Sequence, residues 1–427
     1  MDVQNKNPKK KILIFGHYYV PDTASTGQLL KDLAEGMLDK FDVTVICVVP
    51  SYGGTIAPEY KTHKFYFEEI NGVKIVRVRV PEFTKSNRIS RIKNIVAYFF
   101  GALKASRKAG KQDYIFTISQ PPILGGLLGV LGKKQKHAKL IYCIQDFNPE
   151  QIRAVNYISN QLLLNIMMEI DKFSCRYSDL IITVGRDLCQ TLEKRFKRKI
   201  KPKYVMINNW IDETQIYPLD SENERVIAFK KLYGLENKFV IMYSGNIGLY
   251  YDLENLLKVI EKFEPGTIAA NGREVIFAFI GVGAVLDKLI AYTKQHSMAN
   301  VVFIPYQDKA ELKYSLNAGD VHWVVNAKGI KGVSCPSKYY GIAACAKPVL
   351  GVLEKESEIR CIIEESGCGY VSDPGDYTAI EKNIKRFLGE ADSDILHQMG
   401  QAGCDYLKKF LTKSISIEKY KKEILES

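Results

Sequence analysis

The alternation of short apolar runs with helical stretches most limits how this chain can fold. "KKILIFGHYYV" reads as a buried strand, "TGQLLKDLAEGMLDKF" as an amphipathic helix and "DVTVICVVP" as a second strand. Such an order is typical of a βαβ unit with parallel strands. Further strands are predicted at "VKIVRVRV", "DYIFTIS", "KLIYCIQ", "DLIITVG" and "KYVMINN", with helices over 159–177 and 186–198.

The alternation of strands and helices stops in the polar segment "DETQIYPLDSENER" and resumes after it. Strands are predicted at "KFVIMYSGNIG", "EVIFAFIGVG", "VVFIPY", "DVHWVVN" and "GYVSD", with helices over 252–264, 284–296 and 308–318. A chain of 427 residues is too long for one typical core. We therefore expect an α/β protein with two facing, doubly wound, Rossmann-like domains over 1–214 and 215–409, and a final helix at about 410–427 that packs back on the first domain.

Positive charge is concentrated in the first half of the chain. Residues 1–210 carry a net charge of +16 and the remainder −4. Basic clusters at 85–111, 133–139 and 194–203 alternate with apolar segments, which suits an anionic membrane surface. A merely solvated face is the alternative. Nucleic acid is disfavoured, because no helix-turn-helix, RNP or zinc-finger pattern is present.

Nothing in the sequence predicts export or a metal centre. The apolar run "ILIF" is too short for a signal peptide, and no window reaches the length of a membrane span. The nine cysteines form no CxxC pair and read as reduced thiols. We expect a cytoplasmic protein, peripherally associated with the inner face of the cell membrane, that needs no metal or other cofactor.

Ligands of open α/β sheets bind at the carboxyl ends of the strands, so two facing domains would share one cleft. Gly245 and Gly248 in "YSGNIG" follow a strand and could let amides approach a phosphate, although a tight turn explains them equally well. Gly281 and Gly283 repeat the arrangement. Neither pair completes the dinucleotide fingerprint and no Walker motif occurs, so NAD chemistry and ATP hydrolysis are disfavoured.

Two further loops in the first half carry candidate polar groups. Ser25, Thr26 and Gly27 open the first helix, where Ser25 or Thr26 could cap it or contact a ligand. Asp146 and Glu150 in "QDFNPE" follow a strand and could orient or deprotonate a hydroxyl. Otherwise Asp146 would cap a turn and Glu150 would lie in a solvated first helical turn.

"CPSKYYGIAACAKPVL" places Ser337 and Lys338 at the start of a helix of small residues. A lysine there could direct its ammonium towards the space that the 245–248 amides face. One cation with several N–H donors is what a diphosphate site without metal needs. No DxD-like acidic cluster lies in 242–252 or 329–352 to hold Mg²⁺ in place of the lysine.

Taken in order, these motifs resemble the family 4 glycosyltransferases with the GT-B fold, in particular a branch that makes bacterial surface polysaccharides. The resemblance covers nearly the whole chain and is carried by the loop after the first strand, "DFNPE", "NNWID", "YSGNIG" and above all "PSKYYGIAACAKPVL". It implies retaining transfer of a sugar, an N-acetylated amino sugar in this branch, from a nucleotide donor to a lipid-linked or saccharide acceptor. UDP is expected in preference to GDP.

The resemblance also implies roles for single residues. The diphosphate would be held by Gly245, Asn246, Gly248, Ser337 and Lys338. The nucleoside would contact Gly281, Tyr306 and Glu358, and the acceptor or sugar side would involve Ser25, Thr26, Gly27, Ser119 and Glu150. Asp146 and Lys338 would be the catalytic residues. This chain departs from many relatives, which carry glutamates at Val333 and Gly341, arginine at Asn246 and histidine at Ser119.

Two other functions remain open at this point. A nucleotide-sugar 2-epimerase could use the same architecture, but it would need a set of carboxylates and histidines in the cleft. A non-catalytic, degenerate transferase that serves as a binding module would explain the missing glutamate pair.

Overall fold

The computed structural model describes residues 8–84, 87–154 and 160–427. The start of the predicted basic cluster at 85–111 and the first residue of the predicted helix at 159–177 lie outside these ranges. The first domain contains a sheet of eight strands: β1 (Lys10–Phe15), β2 (Phe41–Val48), β3 (Phe65–Ile70), β4 (Val73–Val78), β5 (Tyr114–Ile118), β6 (Lys139–Ile144), β7 (Leu180–Thr183) and β8 (Lys203–Met206).

The strand order in this sheet is β3-β4-β2-β1-β5-β6-β7-β8, and every pair is parallel except β3 with β4. Its helices are α1 (Ser25–Gly36), α2 (Arg88–Ser106), α3 (Leu124–Lys136), α4 (Glu150–Ala154), α5 (Gln161–Tyr177) and α6 (Arg186–Arg195). Helix α3 lies between α2 and α5 and packs against both. These three helices therefore cover one face of the sheet as a layer.

The second domain has a fully parallel sheet in the order β11-β10-β9-β12-β13-β14. Its strands are β9 (Lys238–Ser244), β10 (Glu274–Ile280), β11 (Val301–Ile304), β12 (Val321–Val325), β13 (Val349–Val352) and β14 (Gly369–Ser372). Its helices are α7 (Glu224–Leu232), α8 (Leu253–Ile260), α9 (Leu286–Gln295), α10 (Leu312–Asn317), α11 (Lys338–Ala344), α12 (Glu358–Ser366), α13 (Tyr377–Gly389) and α14 (Ile395–Phe410). The two predicted doubly wound domains are thus confirmed.

A last helix, α15 (Lys413–Leu425), follows the second domain in sequence but packs against α1 of the first. Its residues Ile417, Tyr420 and Ile424 belong to the core cluster that contains strand residues of the first sheet. The chain therefore crosses between the domains twice, once between β8 and α7 and once before α15.

Each sheet changes its winding direction at one point. In the first sheet β1 lies between β2 and β5, and in the second β9 lies between β10 and β12. Crevices that bind ligands form outside the carboxyl ends of strands at such switch points. The loops after β1 and β5, and those after β9 and β12, are therefore where the fold positions a site.

The structure differs from the sequence expectations at several elements. Strand β3 was not predicted, because none of its side chains is fully buried and two adjacent glutamates interrupt its apolar residues. Helix α7 occupies part of a segment predicted as polar connection, since only Val226 and Phe229 of that helix are buried. Predicted helices such as 252–264 and 308–318 are shorter, α8 and α10 covering Leu253–Ile260 and Leu312–Asn317.

None of the helices within the described ranges is both long and apolar enough to span a membrane.

The attachment of α15 can be tested at Tyr420, whose side chain is fully buried. Its ring lies 6.1 Å from that of Phe116 and 6.0 Å from that of Trp210, and its hydroxyl is 3.3 Å from Cys143 Sγ. Tyr420→Ala is expected to lower the free energy of unfolding of the first domain by about 3 to 5 kcal/mol, because it leaves a cavity. Tyr420→Phe, the control, removes only the hydroxyl contact, at about 1 kcal/mol. Urea unfolding measures the free energy of unfolding of both variants. A loss of only about 1 kcal/mol in each of them would contradict this packing.

Candidate active site

The two domains touch through the loop that follows β6 and the loop that precedes α11. Asp146 forms an isolated β-bridge with Ser334, and the Phe147 N–H donates to the Val333 carbonyl oxygen at 2.8 Å. Lys338 is the first residue of α11. The two predicted catalytic residues, Asp146 and Lys338, therefore come from the two loops that meet across the cleft.

Lys338 is partly buried, and its ammonium lies over aromatic rings. The Nζ atom is 3.7 Å from the centre of the Tyr251 ring and 4.9 Å from that of Tyr243. Among the residues that the structure describes, no carboxylate forms an ion pair with it. Burial without a counter-charge lowers the pKa of Lys338 from 10.5 to about 7. Lys338 is therefore not a solvated surface lysine.

Gly245 gives Lys338 the space that it occupies. A Cβ atom on Gly245 would lie 2.5 Å from Lys338 Cε, and the φ angle of Gly245 is +140°, a value that favours glycine. The lysine side chain thus lies directly across the backbone at the carboxyl end of β9. The proximity predicted for "YSGNIG" and Lys338 is present.

The loop after β9 offers fewer amides than its sequence indicates. The Gly245 N–H donates to Ile280 O and the Ile247 N–H to Val282 O, each at 2.9 Å. The backbone N–H groups of Asn246 and Gly248 have no acceptor within the described part of the chain. Within the described residues these two amides of the loop are therefore available to an anion beside Lys338, whereas Gly245 contributes space and not a donor.

Gly281 has a packing role that explains its residue type. A Cβ atom there would lie 2.0 Å from the Gly245 carbonyl oxygen, and its own N–H donates to Ile304 O at 3.0 Å. The loops after β9 and β10 therefore touch backbone to backbone.

Tyr306, which was also assigned to the nucleoside, is 52% exposed. The pKa of its hydroxyl is raised by partial burial and, to a smaller extent, by the negative charge of Asp308.

Glu358 joins the domains instead of facing the cleft. Its carboxylate accepts from the Arg186 N–H at 2.9 Å, from Arg186 Nε at 2.8 Å and from Asn208 Nδ2 at 2.8 Å, and it is 2% exposed. Arg186 and Asn208 both belong to the first domain. A ribose contact by Glu358 does not fit this arrangement, in which donors of the first domain occupy both carboxylate oxygens.

A cavity of about 200 Å³ lies at the carboxyl ends of the first sheet, on the first-domain side of the cleft. It is lined by residues from the loops after β1, β5 and β6 and from α2, namely His17, Tyr18, Phe83, Arg91, Asn94, Ile95, Ser119, Gln120, Pro121, Pro122, Asp146, Asn148 and Gln151. Asp146 therefore borders both the cavity and the contact with the second domain. We refer to this cavity as the first-domain pocket.

Ser119 holds the loop that carries Asp146. Its Oγ accepts from the N–H groups of Gln145 and Asp146 at 3.0 and 3.2 Å. Burial raises the pKa of the Asp146 carboxyl, an effect that a hydrogen bond with Ser334 partly offsets. Burial, followed by the charge of Asp146, raises the pKa of the Tyr251 hydroxyl to about 12, and the same ring lies under the Lys338 ammonium.

The start of α1 does not use the predicted cap. Ala24 is the N-cap residue, with no side-chain hydrogen bond, so the prediction that Ser25 or Thr26 caps α1 is wrong. Thr26 Oγ1 instead donates to Gln120 Oε1, 3.0 Å away, at the edge of the first-domain pocket. Ser25 is exposed, and Gly27 packs its Cα against the backbone of Tyr18.

Glu150 opens helix α4, as the helical-turn alternative predicts, but its carboxylate is paired with an arginine instead of being solvated. Its Oε1 accepts from Arg195 Nε at 2.7 Å, and its other oxygen pairs with the same guanidinium. That guanidinium also pairs with Asp171 and lies 4.3 Å from the centre of the Phe147 ring. Glu150 is thus part of a buried network that supports the Asp146 loop from behind.

Several residues of the site were not predicted from the sequence. His17 stacks between Tyr18 and Tyr98, with ring centres 4.4 and 4.8 Å apart, and burial lowers its pKa to about 4, so it is neutral near pH 7. Its position directly after β1 was the available signal. The Tyr251 ring, which lies nearest to the Lys338 ammonium, had no sequence signal beyond its closeness to "YSGNIG".

Within residues 8–84, 87–154 and 160–427, no three His, Cys, Asp or Glu side chains cluster in a way that could hold a metal ion. The prediction that the chain works without a metal stays a prediction.

Known proteins of similar sequence are glycosyltransferases. The chain is 26% identical over 346 residues to WbjE of Pseudomonas aeruginosa, named as a probable glycosyltransferase, and covers 82% of that protein. It is 23% identical over 389 residues to WcaI of Escherichia coli K12, named provisionally as a colanic acid biosynthesis glycosyl transferase, and covers 92% of it. These matches span 80% and 88% of this chain. No protein-family model matches it.

Solved structures with the same architecture extend over almost the whole chain. Sucrose-phosphate synthase of Thermosynechococcus elongatus superposes with a TM-score of 0.75 at 14% identity, covering 98% of this chain and 100% of that one. HepE of Anabaena, solved with UDP and glucose, gives 0.70 at 13% identity with the same coverage. At these identities the structures establish the fold, and the sequence relatives supply the activity. The chain is a glycosyltransferase with the GT-B fold, similar to enzymes of bacterial surface polysaccharide synthesis.

Proposed function

We propose that this glycosyltransferase moves an N-acetylated amino sugar, with retention of its anomeric configuration, from a UDP donor to a lipid-linked or saccharide acceptor. A role in cell-surface polysaccharide synthesis is supported by the name of the colanic acid relative. A UDP donor, in preference to GDP, is supported by the HepE structures, which contain UDP or UDP-glucose.

The observation that carries the proposal is the Lys338 ammonium, which lies partly buried over Tyr251 and has no described carboxylate partner. Nearby, the N–H groups of Asn246 and Gly248 lack acceptors among the residues that the structure describes. A diphosphate would give all three groups a partner and would restore the charge that burial removes from Lys338. Ser337 is exposed at the N-cap of α11, where its hydroxyl could add a fourth contact.

The proposed reaction is displacement on one face of the sugar. The bond from the anomeric carbon to the diphosphate oxygen breaks, and a bond from that carbon to the acceptor oxygen forms on the same side. The acceptor proton passes to the leaving diphosphate oxygen. Lys338 and the two free amides would stabilise the charge that develops on that diphosphate.

Asp146 would position the acceptor for this step. It borders the first-domain pocket, and Ser119 holds its loop. A carboxylate there can accept a hydrogen bond from the attacking hydroxyl without removing its proton. No metal enters this scheme, because Lys338 supplies the positive charge that a metal would otherwise provide.

The basic first domain would bring the enzyme to an anionic membrane surface at the inner face of the cell membrane. The net charge of +16 in residues 1–210 supports this, since each Lys or Arg near such a surface contributes about 1 kcal/mol. Nucleic acid is not proposed as a partner.

Lys338→Met is expected to reduce kcat for sugar transfer roughly a hundredfold to a thousandfold, because it removes a charge that stabilises the leaving diphosphate. Lys258→Met, which changes an exposed lysine of α8, is the matched control and should leave kcat unchanged. Radiolabelled UDP-N-acetylglucosamine measures turnover, and NMR of the product gives its anomeric configuration. A fully active Lys338→Met enzyme, or an inverted product, would refute the mechanism. Epimerised donor formed without acceptor would favour the 2-epimerase.

Binding of a UDP-sugar should depend on pH through Lys338. The free lysine has a pKa of about 7, and a neighbouring diphosphate favours its charged form, so the pKa rises on binding. Above pH 7, binding of the UDP-sugar is then accompanied by uptake of a proton. The affinity for the UDP-sugar therefore falls by up to about tenfold for each unit by which the pH rises. Calorimetry in buffers of different ionisation enthalpy measures this uptake. It should vanish in Lys338→Met, and an equal uptake in that variant would assign the proton to another group.

Asp146→Asn is expected to lower kcat for transfer while the dissociation constant for UDP stays within about twofold, because the Asp146 carboxylate would bind the acceptor hydroxyl and not the diphosphate. Asp42→Asn, an exposed change on β2, serves as the control. Steady-state kinetics with varied acceptor and a separate UDP titration distinguish the two effects. If transfer continues at the normal rate with saturating acceptor, Asp146 has no positioning role.

A further inference from the structure

We propose that α2 docks the enzyme on an anionic lipid surface and that its inner side holds the head group of a lipid-linked acceptor. This rests on the proposed function and narrows it, because it selects a lipid-linked acceptor over a free saccharide. It also assigns the membrane contact to one element of the fold.

The outer side of α2 carries an apolar stripe that no described residue covers. Ile89, Ile92, Val96 and Phe100 are 67%, 59%, 40% and 65% exposed. Their spacing of three, four and four residues places them on one line along the helix. Large apolar side chains in such a row, on an otherwise soluble domain, mark a surface that binds another apolar phase.

The charges around this stripe select an anionic partner. Between Glu82 and Asp113 the sequence has eight Lys or Arg and no Asp or Glu. Lys93, Lys104 and Arg107 are exposed and form no ion pair with any described residue. An amphipathic helix with apolar side chains on one line and unpaired cations beside it has the composition of a helix that lies in a membrane interface.

The neighbouring helices extend the same surface. Helix α3 joins α2 to α5 in one layer, and Leu162, Leu163 and Ile166 in the first turns of α5 are 71%, 42% and 50% exposed. An apolar groove between α3 and α5, lined by Leu127, Ile166, Ile170 and Phe173 among others, lies in the same layer. The apolar surface is thus wider than a single helix.

The opposite side of α2 forms a wall of the first-domain pocket. Arg91, Asn94 and Ile95 line that pocket, and they alternate in sequence with Ile89, Ile92 and Val96. Arg91 is exposed and has no carboxylate partner among the described residues, so it can meet a phosphate. One helix therefore faces lipid with one side and the acceptor site with the other, which suits an acceptor whose phosphate remains at the membrane surface.

A second copy of this chain is a poorer occupant of the same surface. Two α2 helices in contact would bring their cationic flanks together without any acidic residue from either helix to pair with them. Nucleic acid would meet the cations but would leave the four apolar side chains of the stripe without apolar contact.

The test is flotation of the full chain with vesicles of phosphatidylcholine alone and of phosphatidylcholine with phosphatidylglycerol. The wild type should float with the anionic vesicles only. Ile89→Ser combined with Ile92→Ser should weaken that binding about tenfold or more, because two inserted side chains are lost. The matched control is Leu232→Ser combined with Ile268→Ser, which changes side chains 72% and 57% exposed in the second domain and should bind as the wild type does.

A melting-temperature shift with UDP, measured on every variant, separates this inference from the proposed function. Retained UDP binding with lost flotation in the α2 variant supports the docking surface. Equal flotation of both double variants overturns it. A dimer that dissociates only in the α2 variant, seen by sedimentation, also overturns it. If no variant responds to UDP while flotation behaves as expected, the donor assignment fails and the docking surface stands.

Discussion

The partly buried ammonium of Lys338 is the feature on which the site depends. It lies over the Tyr251 ring, and burial holds its pKa near 7 because no described side chain supplies a counter-charge. Keeping a cation in that position costs free energy in the unliganded protein. A diphosphate would remove that cost, so the same geometry that destabilises the free enzyme would favour the donor complex and the charged leaving group.

This position exists because two glycines let backbones approach. Gly245 leaves room for the lysine stem, and Gly281 allows the loops after β9 and β10 to touch. The first domain then completes the site through the contact of Asp146 with Ser334 and the ties from Arg186 to Glu358. Because these ties cross the cleft near the site, opening of the domains would separate Asp146 from Lys338.

Much of the architecture could be predicted from local patterns. Buried parallel strands are near-continuous apolar runs, which is why both sheets and the carboxyl-end location of the site followed from the sequence. Strand β3 and helix α7 were not predicted, because both are partly exposed and contain polar residues. Lys338 was found because it follows a strand and opens a helix in the "PSK" segment.

The roles predicted for two glutamates do not fit the structure, for a different reason. Glu358 and Glu150 are carboxylates near strand ends, but their partners Arg186 and Arg195 lie far away in sequence. No local pattern shows that an arginine from another element will occupy a carboxylate. His17 and Tyr251 were missed because an aromatic ring acquires its role only when the surrounding loops have folded.

The most direct test of the central claim is thermal stability with UDP, GDP, CMP, ATP and NAD in the presence of EDTA and then with Mg²⁺. A ligand present at about a hundred times its dissociation constant adds about 2.7 kcal/mol of stability, which a melting curve detects. The account predicts a shift with UDP that does not need Mg²⁺ and is lost in Lys338→Met. A shift that requires Mg²⁺, or one that survives in the variant, would contradict it.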